Sequence, residues 1–221
     1  MKLLIGIPSA GNPATPFTES LGRLQLPPAV SAVDHLTVVG NFVPAARELI
    51  VRHALETESD VVIMCDDDMV LPEDAVTRLL ETLAADVRCA LAGALYYAKD
   101  GVRPMVTSRW DPADTSKASV PAFATEPAAI EGVGFGCVAI KRDALLALQA
   151  PYFEAQVFIQ KSVAHVRICN EDYLFCRRLR AAGYTVKLDP RVKCGHFDRA
   201  AGVVHPAAWE DPASTYDERM F

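Results

Sequence analysis

The chain has 221 residues, enough for one α/β domain or one domain with a modest extension. With 51% apolar and 23% charged residues it can bury an ordinary globular core. Its 22 Lys plus Arg against 28 Asp plus Glu give a formal charge of -6, which argues against broad binding to nucleic-acid phosphates or anionic membranes but leaves room for a local basic groove. No window approaches the roughly 18 consecutive apolar residues of a spanning helix, so no transmembrane segment is expected. The apolar start over residues 1–8 is short, carries one Lys and lacks a small-residue cleavage site. It therefore reads as a first strand rather than a signal peptide. Cys65, Cys89, Cys137, Cys169, Cys176 and Cys194 are scattered and form no C-x-x-C pair, so neither a zinc site nor a thioredoxin-like motif is indicated. They read as reduced, buried thiols of a cytoplasmic protein.

In chain order, the apolar run 3–7 predicts a buried strand stopped by Pro8. Residues 9–28 are rich in Pro, Gly, Ser and Thr and predict loop with one short helix. A second strand follows at 35–39. Residues 44–58 predict a helix, with Pro44 in its first turn and one apolar face from Ala46, Leu49, Ile50, His53 and Ala54. Residues 60–64 predict a third strand, with Cys65 beginning the turn out of it. Residues 72–84 predict a helix with Glu73 and Asp74 in its first turn, where the helix dipole favours them. A fourth apolar strand spans 89–95. The polar segment 97–127 is too long to be wholly structureless and suggests edge strands or a flap that meets the acceptor. A strand at 137–140, a helix at 142–148, a strand at 164–168 and a helix at 171–182 closed by Gly183 come next. A short strand at 185–188 is expected to turn at Asp189-Pro190, and after His196 the pattern fades into a tail, 197–221. No internal repeat is seen, and one domain over 1–221 is expected. Strands alternating with helices imply a three-layer α/β sandwich around a mostly parallel sheet. In such folds ligands bind beyond the carboxyl ends of the strands, here at Pro8-Ser9 and at Asp66 to Asp68.

Three adjacent aspartates repel one another, and a cation reverses the sign of that cost. Residues i and i+2 of an extended chain point to the same side, so Asp66 and Asp68 can face one ion while Asp67 points elsewhere. Carboxylate oxygens suit Mg2+ or Mn2+, with substrate phosphate completing the shell. The alternative is an acidic turn before the helix at 72, although Asp68 lies too far upstream to cap it.

The run Val61-Val62-Ile63-Met64-Cys65-Asp66-Asp67-Asp68-Met69 resembles the Asp-x-Asp segment of the GT-A-fold glycosyltransferases, especially the large family that includes many inverting enzymes. The resemblance implies a GT-A, Rossmann-like fold. It implies ribose or metal contact for Asp66, metal coordination for Asp68, and a place for Asp67 among the donor-binding residues. Further similar segments follow the family's order over about 40–196. Arg47 lies in a run similar to the family's Ala-Arg-Asn helix, with Glu48 where Asn is usual, and is expected at the donor phosphates. Gly134-Phe135-Gly136, leading into Cys137-Val138-Ala139-Ile140-Lys141-Arg142, resembles the family's Gly-rich segment. There Gly134 would let backbone approach the donor, or else mark a bend. Asn170-Glu171-Asp172, followed by Arg177 and Gly183, is similar to the Glu-Asp segment that carries the catalytic base. Asp172 is therefore expected to take the acceptor's proton. Val192-Lys193-Cys194-Gly195-His196 resembles the closing strand and its metal-binding His196. Pro8-Ser9 stands where the family binds nucleotide base and ribose, although Pro8-Ser9-Ala10-Gly11-Asn12 departs from the usual Pro-Thr-x-Asn.

What the resemblance implies is a metal-dependent transfer of a hexosyl or related sugar from a nucleotide diphosphate-sugar, by default a UDP-sugar, with inversion expected. The acceptor is open among a saccharide, a lipid-linked sugar, a metabolite, a protein and a modified nucleic-acid base. Two rivals stand beside it. A nucleotidyltransferase would carry a Gly-rich basic loop after the first strand, whereas residues 9–16 have one Gly and no Lys or Arg. A catalytically degenerate sugar- or partner-binding module would have no need of Asp66, Asp68, Asp172 and His196 together.

Overall fold

The computed structural model describes residues 1–40, 42–107, 125–154, 156–160 and 165–205, and the side chains of all of these except 157–160 and 165–169. The elements in chain order are β1 (Lys2–Ser9), α1 (Thr15–Leu21), β2 (Ala32–Val39), α2 (Val43–Glu56), β3 (Val61–Cys65), β4 (Met69–Val70), α3 (Ala75–Ala84), β5 (Cys89–Leu95) and β6 (Val106–Thr107). There follow β7 (Ala128–Ile130), β8 (Gly132–Val133), β9 (Cys137–Lys141), α4 (Arg142–Leu146), β10 (Gln156–Gln160), β11 (His165–Cys169), α5 (Glu171–Ala181), β12 (Thr185–Lys193), β13 (Gly195–Asp198) and β14 (Val203–His205).

Seven strands form one sheet in the order β2-β1-β3-β9-β5-β12-β7. β1 runs parallel to β2 and β3, and β12 runs parallel to β5. β9 is antiparallel to both β3 and β5, and β7 is antiparallel to β12. The sheet is therefore mostly parallel, as expected. Its central strands are apolar on both faces because helices cover both. Leu4, Val62, Met64, Val138 and Ile140 face a core closed by Ile50 and Val51 of α2, Leu145 of α4 and Phe175 and Leu179 of α5. Leu3, Ile5, Ile63 and Ala139 face the other core, closed by Phe17 of α1 and Leu79 and Leu83 of α3. The two-residue strand period thus sorts one sequence into two buried layers.

Several boundaries differ from the sequence pattern, each for a local reason. Cys65 ends β3 rather than beginning a turn, because it still pairs with Cys137 across the antiparallel ladder. α3 starts at Ala75, so Glu73 and Asp74 precede its first turn; Glu73 accepts from the Gln25 side chain at 3.0 Å and Asp74 pairs with Arg78 at 3.0 Å. β12 continues through Asp189-Pro190 with a register shift before Lys193, an irregularity that accommodates a proline without its N–H. The fully buried Asp189 carboxylate is satisfied there by Thr82 at 2.7 Å and by Arg191 at 2.8 Å. The chain past Cys194 forms a small sheet, with β13 pairing to both β4 and β14, rather than fading at once. Within the segment expected as a flap, Tyr97 bridges Pro104 and β6 pairs with β8. The rest of that segment over 108–124, and the tail over 206–221, lie outside the described residues. Gly183 adopts a φ of 89° just past α5, the left-handed conformation a helix-closing glycine supplies.

Candidate active site

The carboxyl ends of β1, β3, β5 and β12 and the start of the antiparallel β9 share one edge of the sheet. The strand order reverses there, with β2 on one side of β1 and β3 on the other. Because β9 runs the other way, its preceding Gly134-Phe135-Gly136 segment lies at this edge, and the Asp66 N–H donates to the Gly136 carbonyl at 3.1 Å.

Arg47 is the hub. Only 3% exposed, it sits on the buried face of α2. Its guanidinium donates from Nη1 to Glu171 Oε1 at 2.7 Å and from Nη2 to Asp66 Oδ1 at 2.9 Å. It lies 5.3 Å from the centroid of the Phe135 ring, a cation–π distance. Burial opposes its charge, but Asp66, Asp172 and Glu171 outweigh that and push its pKa upward. The fork expected at donor phosphates is directed here to protein carboxylates, and it ties the end of β3 to the first turn of α5.

Asp172 is also buried, 6% exposed, on that first turn, with its Oδ1 accepting from the Tyr173 N–H at 2.8 Å. Burial lifts its carboxyl from an ordinary 3.8 to about 7, with Glu171 and Asp66 adding repulsion and Arg47 opposing them. Asp66 is raised as well, first by burial and then by Asp68 and Glu171, although Arg47 pulls the other way. A carboxyl poised near neutrality beside one fixed cation is suited to accepting a proton.

The three aspartates take three different partners. The backbone turns at Asp66, with the Met69 N–H donating to its carbonyl at 3.2 Å, so the alternation of an extended chain does not hold there, although Asp68 stays close enough to raise the Asp66 pKa. Asp67 is 9% exposed; it accepts from the Ser9 hydroxyl at 2.6 Å and from Arg199 Nη2 at 2.9 Å. Ser9 Oγ in turn accepts from the Gly11 N–H at 3.0 Å, and the Ala14 N–H donates to the Asp67 carbonyl at 2.9 Å. β1 runs through Pro8, expected to stop it, to Ser9, because both residues still pair with β2, and Asp67 thereby fixes the Ser9 end of β1 to the turn after β3.

Asp68 and His196 do come together, with Nε2 3.6 Å from Oδ2. His196 Nδ1 lies 2.8 Å from the Tyr97 carbonyl, an acceptor only. In the neutral ring Nδ1 therefore carries the proton, and the Nε2 lone pair faces the Asp68 carboxylate. The ring also meets Tyr96 edge to face, with centroids 5.6 Å apart. Lys99 Nζ lies 2.7 Å from the same Asp68 Oδ2. Burial opposes the Asp68 charge, but His196 and Lys99 hold its carboxyl down at about 2. Burial likewise opposes charge on His196, while Asp68 and the Tyr97 carbonyl raise its pKa overall. Among the described residues, no group of three His, Cys, Asp or Glu side chains is arranged to hold a metal ion.

Gly134 is at the site's edge, but a Cβ there would lie 2.2 Å from the Tyr96 hydroxyl, and one at Gly136 would lie 2.7 Å from Tyr96 Cζ. These glycines make room for the Tyr96 ring, whose hydroxyl accepts from the Gly136 N–H at 3.1 Å. Lys99 and Arg199 are site residues that lie outside every motif of the sequence. Glu171 was signalled as half of the Glu-Asp pair, whereas Lys99 and Arg199 lie in segments without periodicity.

No protein-family model matches the chain, and a search of curated proteins finds none similar in sequence. Solved structures do match in shape. A197 from STIV aligns over 90% of this chain and 86% of its own, at 20% identity and a TM-score of 0.62. GalNAc-T7, crystallised with UDP, GalNAc and Mn2+, aligns over 89% of this chain at 14% identity and a TM-score of 0.60; the chain spans 43% of that protein. At these identities the likeness speaks to fold, and the chain has a GT-A-like fold: a mixed α/β sandwich with a large, mostly parallel central sheet. No helix among the described residues is long and apolar enough to cross a membrane.

Proposed function

We propose that this protein is a glycosyltransferase that moves a sugar from a nucleotide diphosphate-sugar, by default a UDP-sugar, to an acceptor hydroxyl with inversion. The observation that carries the proposal is the buried Arg47 clamp, which draws the acidic turn after β3 and the first turn of α5 to one edge of a GT-A-like sheet, with Asp172 poised near pH 7 beside it.

In this reading the nucleoside lies over Pro8, Ser9 and the Asp66 turn, at the switch point of the sheet. Asp67 and Arg47 act as positioning residues. The former locks the Ser9 loop, and the latter locks Asp66 and Glu171. A divalent Mn2+ or Mg2+ suits the donor set of Asp68 and His196, since a carboxylate oxygen and an imidazole lone pair face each other while the opposite ring nitrogen is anchored on a backbone carbonyl. When bound, the ion supplies Lewis-acid neutralisation of charge on the departing diphosphate. Asp66, expected at the same ion, has its Oδ1 held by Arg47. Asp172 takes the proton of the acceptor hydroxyl as that oxygen attacks the anomeric carbon. The bond from that carbon to the diphosphate oxygen breaks, and its electron pair leaves with the diphosphate. Attack from the face opposite the leaving group gives inversion.

The test is a screen of UDP-, GDP-, CDP- and dTDP-sugars with Mn2+ for release of the nucleoside diphosphate, by hydrolysis or transfer. Release with one donor that drops by a factor of about a hundred or more in Asp172→Asn is expected. Release that is undiminished in the variant rules out Asp172 as the base, and no release from any donor favours a binding module.

A further inference from the structure

The most unusual feature of the site is that Asp68 already has a cation. Lys99 Nζ is 2.7 Å from Asp68 Oδ2, the same oxygen that faces His196 Nε2 at 3.6 Å. Any ion held jointly by Asp68 and His196 would sit within a few ångströms of that ammonium and be repelled by it. The backbone that carries Lys99 is fixed. Tyr97 bridges Pro104, the Ala98 N–H donates to the Arg103 carbonyl at 2.8 Å, and the Tyr97 carbonyl anchors His196. The Lys99 side chain is 43% exposed and reaches Asp68 from the solvent side, so it can swing away on its flexible stem while the hairpin stays in place.

We propose that Lys99 is an intramolecular competitor for the divalent cation at Asp68, setting the protein's cation affinity by occupying the carboxylate until an ion displaces it. This rests on the assignment of Asp68 and His196 as cation ligands. It has a direct consequence for order of binding. The protein alone takes up the ion weakly, and a donor diphosphate, which gives the displaced ammonium a new counter-charge, strengthens uptake.

The experiment titrates Mn2+ alone, without nucleotide, into wild type, Lys99→Met, Asp68→Asn and the double variant, following free Mn2+ by its electron paramagnetic resonance signal. Lys99 is a surface side chain, so Lys99→Met should fold, and an unchanged melting temperature checks this. The result expected is binding about two- to fivefold tighter in Lys99→Met than in wild type, the range one partly exposed ion pair is worth, and lost in both proteins with Asp68→Asn. Equal or weaker Asp68-dependent binding in Lys99→Met overturns the competitor role while leaving the cation site intact. No Asp68-dependent binding in either protein overturns both the competitor role and the cation ligands on which it rests.

Discussion

Replacing Asp172 by asparagine separates a poised base from a merely structural carboxylate. The group moves from an ordinary 3.8 to about 7 on folding, chiefly because it is buried. Its folded pKa is raised, so the native state holds the proton more tightly than the unfolded chain does. The corresponding stability is fully present below the unfolded value and is lost as pH rises through the folded one. Between pH 5 and pH 8.5 about two units of that interval are crossed, which at ~1.4 kcal/mol per unit is about 3 kcal/mol. Asparagine keeps an oxygen for the Tyr173 N–H and has no proton to lose. Urea denaturation at the two pH values should therefore show wild type losing about 3 kcal/mol more than Asp172→Asn on going to the higher pH. The same ionisation should govern catalysis in the opposite sense, with kcat/KM rising with pH to a plateau above about 7. Parallel pH dependences of stability in the two proteins would refute the shifted pKa and, with it, the reason for choosing Asp172 over its neighbours.

Two further substitutions probe the frame around it. Arg47→Met leaves Glu171, whose side chain is 12% exposed, and Asp66, which is 32% exposed, without their cation. Stripping a partner from a buried pair costs about 3–5 kcal/mol, with the more exposed Asp66 contributing less, so urea denaturation should show a loss near the lower figure. A loss under about 1 kcal/mol would mean that the clamp does not hold the two acidic turns together. Gly136→Ala drives a methyl group to 2.7 Å from Tyr96 Cζ and 2.9 Å from Met69 Sδ, whereas Gly40→Ala meets nothing within 4 Å. The first should lower stability by about 1–3 kcal/mol and shift the melting temperature by several degrees, and the second should be close to neutral; equal effects would contradict the packing around Tyr96.

Much of the scaffold was legible because it rests on local patterns. The uninterrupted apolar runs of β1, β3 and β5 and the capped, periodic stretch of α5 need no distant partner to be recognised. The direction of β9 was not legible, since an apolar run reads the same in either direction and only its neighbours β3 and β5 fix it. β7, β8 and β10 are too short or too polar for a periodic signal, and Asp189-Pro190 carries turn chemistry inside a strand because Thr82 and Arg191 satisfy the buried carboxylate. At the site, the acidic run and the Glu-Asp pair announced themselves by composition. Their partners did not. Which aspartate meets Arg47, Arg199 or Lys99 depends on a turn at Asp66 and on chain segments up to 132 residues apart. The alternation by which Asp66 and Asp68 were paired belongs to an extended backbone, whereas the chain turns at Asp66.

The most direct measurement is calorimetric titration of UDP into wild type and Asp68→Asn, each with and without Mn2+. Binding by wild type that requires Mn2+ and is lost in Asp68→Asn is the result expected of a cation-assisted nucleotide-sugar transferase. Binding that is indifferent to both the ion and the substitution, or no binding of UDP or of any other nucleoside diphosphate, would contradict it.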